Sequence, residues 1–259
     1  MKPRTAISRF VSVLAAGAML LPAALPAADS QLMPDFAAHY TAYKGSFRIA
    51  TSTVHLTRNG DRYTYASFTE PAGILALFRS DTVTESSVLE YRNGRILPLH
   101  YRYLLDGRKR KDVRLEFHWD RNQVTNTVKG RSWTMHVPDG ALDKFSVQLA
   151  VMRDLADGRT KLDYDIADGG KLKNYRFKIL GTEQITTRAG TFNTVKLMRI
   201  RENKKRKTYM WAAPKLDYLL IRIQHIETNG SRFHMDLDQV GGPLKRQAAA
   251  RGVDLARGD

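Results

Sequence analysis

The sequence contains no cysteine among its 259 residues. The chain therefore cannot form disulfides, thiolate metal sites or a thiol nucleophile, and it lacks the lipid-modified cysteine of a bacterial lipoprotein. Its stability must come from an ordinary hydrophobic core. About 230 residues follow the amino-terminal export segment, which is enough for one large all-β domain.

Long hydrophobic runs are also missing, apart from the segment 10–25 near the amino terminus. Lys2, Arg4 and Arg9 precede this run and small residues at 25–28 follow it, which is the order of a secretory signal peptide. The run is shorter than the roughly 20 residues of a membrane-spanning helix. We therefore predict a signal peptide over residues 1–28 and a periplasmic protein that is not a lipoprotein, with an uncleaved anchor as the alternative.

Acidic residues are scarce relative to basic ones, with 26 Asp and Glu against 42 Lys and Arg and a net charge of +16. Such an excess favours anionic surfaces and polyanions as partners. For an exported protein these are lipid, lipopolysaccharide, wall polymers or an anionic membrane surface, and nucleic acid is not expected. The oligomeric state is left open.

Recognisable catalytic motifs are absent, including His-Glu-x-x-His, a P-loop and a dinucleotide fingerprint. Ser146 lacks a nucleophile elbow. No catalytic residue and no cofactor are predicted. A carboxylate-dependent hydrolase or modifying enzyme of envelope polysaccharide is an alternative, and its candidate carboxylates are Asp163, Asp165, Glu183 and Glu202.

Two histidines lie two residues from carboxylates, a spacing that puts side chains on the same face of a strand, and are candidate metal ligands. These groups are His118 with Glu116 and Asp120, and His234 with Asp236 and Asp238. A metal site usually needs ligands from more than one element, so the pattern is more typical of an exposed, salt-bridged strand face. No metal site is predicted.

Apolar residues alternate with polar ones along most of the chain from Phe36 onward, which is the period of a strand with one buried face. Hairpin turn pairs separate the runs at 59–60, 93–94, 106–107 and 229–230. Successive hairpins predict a mainly β domain built as an antiparallel meander over residues 29–240. Residues 241–259 are rich in Ala, Arg and Gly and predict a flexible basic tail.

One helix is predicted, because Leu142, Phe145, Leu149, Met152 and Leu155 recur at spacings of three and four. A lone amphipathic helix must bury its apolar face against the sheet. Asp139 could cap its start, and the pair at 157–158 would end it.

Several separated motifs resemble the DUF3108 family, a group of exported bacterial proteins of uncharacterised function. The motifs are Tyr40 to Lys44, Arg95 to Pro98, Pro138 to Ser146, Gly181 to Glu183, Ala189 to Phe192 and Trp211 to Pro214. The resemblance implies a curved antiparallel sheet or incomplete β-barrel around one packed α-helix. It implies no catalytic residues.

Three groups of residues are candidates for ligand binding. The basic groups are Arg108, Lys109, Arg110 and Lys111, and Lys204, Lys205, Arg206 and Lys207; the aromatic group is Trp119, Trp133 and Trp211. The basic groups could hold lipid phosphates or could be solvated turns that discourage edge pairing. The tryptophans could line a cavity or could pack against the helix as core.

The leading hypothesis is an exported, non-enzymatic cell-envelope protein that binds a lipid-like or anionic envelope component in or beside a β-barrel concavity. A structural partner of an envelope assembly is a further alternative, which an exposed strand edge would favour. The apolar segment Pro71 to Phe78 is predicted to be a helical turn or a loop. As a loop it is a candidate lid or membrane-touching edge.

Overall fold

The computed structural model describes residues 31–201 and 206–256. The predicted signal peptide lies outside the described residues. Among those that are described, the helices are α1 (Ser146–Ala156) and α2 (Pro243–Ala250), with short 3-10 turns at Gly73–Leu77 and Pro214–Leu216.

Fifteen strands of the described residues form one sheet. They are β1 (Phe36–Lys44), β2 (Phe47–Asn59), β3 (Arg62–Pro71), β4 (Thr82–Arg92), β5 (Arg95–Asp106), β6 (Lys111–His118), β7 (Gln123–Val128), β8 (Arg131–His136), β9 (Leu142–Asp143), β10 (Leu162–Ala167), β11 (Leu172–Thr187), β12 (Gly190–Ile200), β13 (Arg206–Ala213), β14 (Leu219–Glu227) and β15 (Arg232–Gly241).

The strand order is that of a continuous meander. It runs from β8 back to β1, crosses from β1 to β15, and continues from β15 back to β9. Neighbours are antiparallel except β9 and β10, which are parallel. The predicted turn pairs lie between strands, and Asn93 and Gly94 both have the positive φ of a tight hairpin. The mainly β fold predicted from periodicity and turns is therefore confirmed.

The sheet does not close, because its outer strands β8 and β9 are not paired with each other. Trp133 of β8 instead packs on the β10–β11 turn. Gly170 has a φ of +87°, and a Cβ there would lie 2.1 Å from the Trp133 ring, so only glycine fits at this contact. The protein is an incomplete barrel.

Helix α1 lies against the concave face of the sheet. Phe145, just before the helix, stacks on Tyr65 of β3 with ring centroids 4.1 Å apart. On the opposite part of the sheet, the Tyr164 hydroxyl of β10 donates to Asp154 at 2.8 Å. The predicted packing of this helix against the sheet is confirmed, and the side chains that face it belong to the hydrophobic core.

The start of α1 differs from the prediction. Leu142 belongs to β9, and the helix begins at Ser146. Asp139 does not cap it but forms an exposed ion pair with Arg95 at 2.8 Å. The capping carboxylate is Asp143, which accepts hydrogen bonds from the backbone N–H of Phe145 at 2.8 Å and of Ser146 at 2.7 Å.

The carboxyl-terminal segment also differs from the prediction of a flexible tail. Residues 243–250 form α2, in which Leu244 and Ala248 are fully buried. The backbone N–H of Ala256 donates to the Ala189 carbonyl at 3.0 Å. The prediction is therefore wrong for residues 243–256, because two apolar residues at i, i+4 give the helix a face to bury.

Asp143 also joins α1 to the sheet. Its side chain is completely buried, and the Ser87 hydroxyl of β4 donates to it at 2.6 Å. Burial raises the pKa of Asp143, whereas its hydrogen bonds with Ser87, Ser146 and Phe145 act in the opposite direction. One carboxylate thus fixes where the helix begins and which strand it touches.

We expect Asp143→Ala to lower the free energy of unfolding by about 3 kcal/mol, because it leaves buried donors of the helix and of Ser87 without an acceptor. Urea denaturation measures the change. Asp139→Ala is the matched control and should cost less than about 1 kcal/mol, since its ion pair is exposed. Equal losses for the two variants would contradict the assigned role of Asp143.

Candidate functional site

The antiparallel order gives the incomplete barrel two distinct ends. The connections β1–β2, β3–β4, β5–β6, β7–β8, β10–β11, β12–β13 and β14–β15 lie at one end. We call this the open end. The turns β2–β3, β4–β5, β6–β7 and β11–β12 lie at the opposite end, which we call the closed end.

Burial of the concave face changes from one end to the other. Towards the closed end, Leu56 and Leu89 are fully buried. Towards the open end, Tyr103, Tyr175 and Phe233 are only half-buried, although their partners in the sheet place them on the same face. The concavity is therefore filled at one end and accessible at the other.

An exposed apolar surface lies on the rim of the open end. Ile74, Leu77 and Phe78 of the β3–β4 connection are 74, 78 and 69% exposed, and Phe47 of the β1–β2 connection is 73% exposed. We call Phe47 and residues 74–78 the apolar tip. The backbone N–H of Ala72 donates to the Ile49 carbonyl at 2.9 Å and attaches the two connections to each other.

The first predicted basic group lies directly beside the apolar tip. The Asp81 carboxylate, which follows the tip, accepts the backbone N–H of Arg108 at 2.7 Å and pairs with Arg79 at 3.1 Å. These two donors lower the pKa of Asp81. We call residues 107–111 the basic loop, which includes Lys109, Arg110 and Lys111. Asp81 therefore holds exposed cations beside exposed apolar side chains.

The second basic group lies at the same end of the barrel. Lys204 and Lys205 lie outside the described residues. Arg206 and Lys207 begin β13, where Arg206 pairs with Glu227 of β14 at 2.5 Å. The topology therefore puts Arg206 and Lys207 at the open end, on strands distant from the basic loop.

The three tryptophans lie at separate places along the sheet, and each has a contact with a strand or a turn. Trp119 donates to the Pro98 carbonyl at 2.7 Å near the closed end. Trp133 lies on the outer strand β8. Trp211 is buried and donates to the Glu183 carboxylate at 3.0 Å.

Of the histidines weighed as metal ligands, His234 lies 3.9 Å from Asp236, but both histidines also have partners outside their groups. His118 hydrogen-bonds Thr125 at 3.0 Å, and His234 stacks on Tyr43 with centroids 4.9 Å apart. Asp236 pairs with Arg222. Within residues 31–201 and 206–256, no group of three or more His, Asp or Glu side chains could hold a metal ion.

Among the candidate carboxylates of the hydrolase alternative, Asp163 and Asp165 lie side by side on β10, whereas Glu183 lies on β11. Asp163 and Asp165 both accept from the Asn174 amide, at 2.6 and 3.4 Å. Glu183 pairs with Lys196 at 2.7 Å. Glu202 lies outside the described residues. The structure gives each described carboxylate a polar partner and brings no pair from different elements together for acid and base roles.

Sequence reasoning missed a group of polar residues on the concave face near the open end. Arg199 is directly opposite Phe177 and Thr208, and Arg201, just past the end of β12, lies near both Arg199 and His225. His225 of β14 faces Thr208 and hydrogen-bonds its hydroxyl at 2.9 Å. The sequence alternation shows which residues share a face of each strand, but only the strand pairing shows which of the two faces is concave.

Burial and nearby positive charge both lower the pKa of His225. Burial is the larger cause, and together with the guanidinium groups of Arg206 and Arg201 it lowers this pKa to about 4. The imidazole is therefore neutral in the folded protein above that pH.

This shift predicts a pH-dependent stability. Between pH 6.5 and about 4 the unfolded chain binds a proton at His225 and the folded protein does not, so the free energy of unfolding falls as the pH falls. We expect His225→Asn to reduce this loss by about 1 to 2 kcal/mol. Urea denaturation across this range measures it. A His225 ring that titrates near 6.5 in NMR would contradict the assignment.

Comparison with known proteins identifies the family. A family model described as a protein of unknown function, DUF3108, matches residues 35–238, which span β1 to β15. The chain belongs to the DUF3108 family. No curated protein is similar enough in sequence to match this DUF3108 protein.

A solved structure of another family shares the fold. A β-barrel-like protein of the DUF1849 family from Brucella abortus superposes with a TM-score of 0.53 at 6% identity, covering 80% of this chain and 97% of that one. An identity this low supports a barrel-like fold alone. A candidate lipoprotein from Parabacteroides distasonis has a TM-score of 0.38 at 11% identity, covering 81 and 98% of the two chains.

Membrane contact through a spanning helix receives no support from the described residues. None of their helices is long and apolar enough to cross a bilayer.

Proposed function

We propose that this DUF3108 protein is an exported, non-enzymatic component of the bacterial cell envelope that docks its open end on an anionic lipid surface. In this proposal a lipid-like, anionic component binds in or beside the concavity, and the protein works in the periplasm after cleavage of its signal peptide. The observation that carries the proposal is the junction at Asp81, which holds the basic loop against the apolar tip.

The apolar tip supports insertion into a bilayer interface. Scattered exposed apolar residues are common, but several together on one protruding connection are typical of an interaction site. Transfer of a large aliphatic or aromatic side chain out of water is worth about 1.5 to 3 kcal/mol when burial is complete. Ile74, Leu77 and Phe78 are each more than two-thirds exposed, so most of this free energy is still available for binding.

The basic loop supports the choice of an anionic lipid surface over a neutral protein partner. Each Lys or Arg close to an anionic membrane contributes roughly 1 kcal/mol. Arg108 is attached to Asp81 just after the tip, and Arg108, Lys109, Arg110 and Lys111 are all exposed. An apolar insertion flanked by cations matches the layering of acyl chains below anionic headgroups.

The accessible concavity supports the binding of a component taken from that surface. Half-buried aromatic side chains, Tyr103, Tyr175 and Phe233, line the concave face next to the rim. Such side chains offer apolar contact with part of a lipid while the open end exposes its headgroup to solvent.

We expect the purified exported protein to co-sediment with vesicles containing phosphatidylglycerol and much less with vesicles of phosphatidylcholine alone. The double variant Leu77→Ser/Phe78→Ser should weaken binding to the anionic vesicles roughly tenfold or more, because two inserting side chains are lost. Leu180→Ser is the matched control, since Leu180 is 43% exposed on β11 away from the rim. It should bind like the parent protein.

The basic loop can be tested in the same assay. Lys109→Gln/Arg110→Gln should weaken binding at low salt and make it less sensitive to added salt, because surface charge interactions are screened. The proposal fails if anionic and neutral vesicles bind equally, or if the Leu180 variant loses as much binding as the tip variant.

A further inference from the structure

Two arginines lie next to each other near the open end. Arg199 shares a face with Phe177, which contacts Tyr164, and Tyr164 in turn hydrogen-bonds Asp154 of α1. Arg201 lies just past the last residue of β12, close enough to Arg199 for the two positive charges to interact. Both side chains are partly buried, and the strand pairing directs Arg199 towards the helix side of the sheet.

Neither arginine has an acidic partner among the described residues. The Nε atoms of Arg199 and Arg201 are both buried, and within residues 31–201 and 206–256 neither has a hydrogen-bond partner. No carboxylate of those residues forms an ion pair with either guanidinium. Burial of guanidinium N–H groups without acceptors is unfavourable, so an acceptor supplied from outside would bind with a clear gain.

The nearby charges leave this region positive. The guanidiniums of Arg199 and Arg206, together with burial as the larger cause, lower the pKa of Arg201. The nearest carboxylates are already engaged, since Glu227 pairs with Arg206 and Asp168 pairs with Lys173, both at 2.5 Å. A ligand anion would therefore meet two cations that form no ion pair within residues 31–201 and 206–256.

A recess of suitable size adjoins the two arginines. It has a volume of about 580 Å³, and its lining includes Lys173, Tyr175, Arg199 and Arg201. The Arg199 guanidinium carbon lies 3.2 Å from the centroid of the Tyr175 ring. This stacking holds the guanidinium in one orientation, which reduces the entropy lost when a ligand binds.

We infer that Arg199 and Arg201 form an anion-binding subsite that takes the oxyanion headgroup of an amphiphile, either a phosphate or a carboxylate. A planar guanidinium presents paired N–H donors that match the oxygens of both groups. The inference rests on the proposed function, because it names the part of the envelope component that the concavity would hold. The inference depends on Arg199 and Arg201, which are left intact in the variants used for vesicle binding.

The test measures binding of decyl phosphate to the full exported protein by isothermal titration calorimetry, below the micelle concentration and without vesicles. Decanoate and inorganic phosphate are measured alongside. We expect decyl phosphate or decanoate to bind, and the tighter of the two identifies the headgroup. Binding of inorganic phosphate at equal affinity would show that the site holds a free ion and would overturn the amphiphile part of the inference.

Substitutions distinguish a specific contribution of the two arginines to binding from the general effect of removing one positive charge. Arg199→Gln and Arg201→Gln should each weaken binding about tenfold, which is the usual effect of losing a charge-assisted hydrogen bond. Arg188→Gln removes the same charge at the exposed β11–β12 turn of the closed end and should bind like the parent protein. Equal losses in the Arg188 and Arg199 variants would overturn the subsite.

Urea denaturation distinguishes a ligand-binding role of the two arginines from a structural one. Because neither arginine has an acidic partner among the described residues and Arg199 only stacks on Tyr175, their glutamine variants should unfold at nearly the same urea concentration as the parent protein. Decyl phosphate should raise the midpoint of the parent and not that of Arg199→Gln/Arg201→Gln. Clear destabilisation of the ligand-free variants would instead indicate a structural role.

Failure of this subsite can be told apart from failure of the proposed function. The double arginine variant should still dock on anionic vesicles, and Leu77→Ser/Phe78→Ser should still bind decyl phosphate. Absence of amphiphile binding with intact docking overturns the subsite alone. Amphiphile binding without docking overturns membrane docking and leaves the subsite in place.

Discussion

A buried carboxylate determines how the helix lies within this sheet. Asp143 accepts hydrogen bonds from the first turn of α1 and from Ser87 of β4, so that the amino end of the helix is held against one strand. A carboxylate buried without these donors would cost several kcal/mol. The carboxylate and its donors must therefore come together in the folded protein, and the position of α1 follows from that requirement.

The position of α1 in turn divides the concave face. Where the helix and its flanking segments cover the sheet, apolar side chains such as Leu89 are fully buried. Beyond that cover, the concave face continues to the open end with half-buried aromatic and basic side chains. The same meander topology brings the apolar tip and the basic residues of separate hairpins to that end. A single fold constraint thus accounts for both an accessible interior and an amphipathic rim.

Strand periodicity and turn chemistry predicted most of the fold because both are local. The Asn93-Gly94 pair requires positive φ wherever it lies, and a meander of hairpins follows from several such pairs. The start of α1 could not be read locally, since Asp139 and Asp143 both suit a cap. The choice depends on Ser87, which lies 56 residues away from Asp143 in the chain.

The candidate site was predicted less completely for the same reason. The basic loop was found as a run of cations, but its attachment to the apolar tip depends on Asp81, which sequence alone does not connect to Arg108. Arg199 was missed because its inward direction is defined by pairing with β11 and β13, and Arg201 was missed because only the structure shows which residues surround it. Helix α2 was also missed, although the spacing of Leu244 and Ala248 in the sequence is that of a helix with one buried face.

Docking of the open end on an anionic lipid surface is the central claim, and a site-specific label tests it most directly. The chain has no cysteine, so Leu77→Cys and Leu180→Cys each accept one environment-sensitive bimane probe without further changes. The account predicts a blue shift of the probe at position 77 on addition of phosphatidylglycerol vesicles and none at position 180. Equal shifts at both positions, or a shift only at 180, would contradict it.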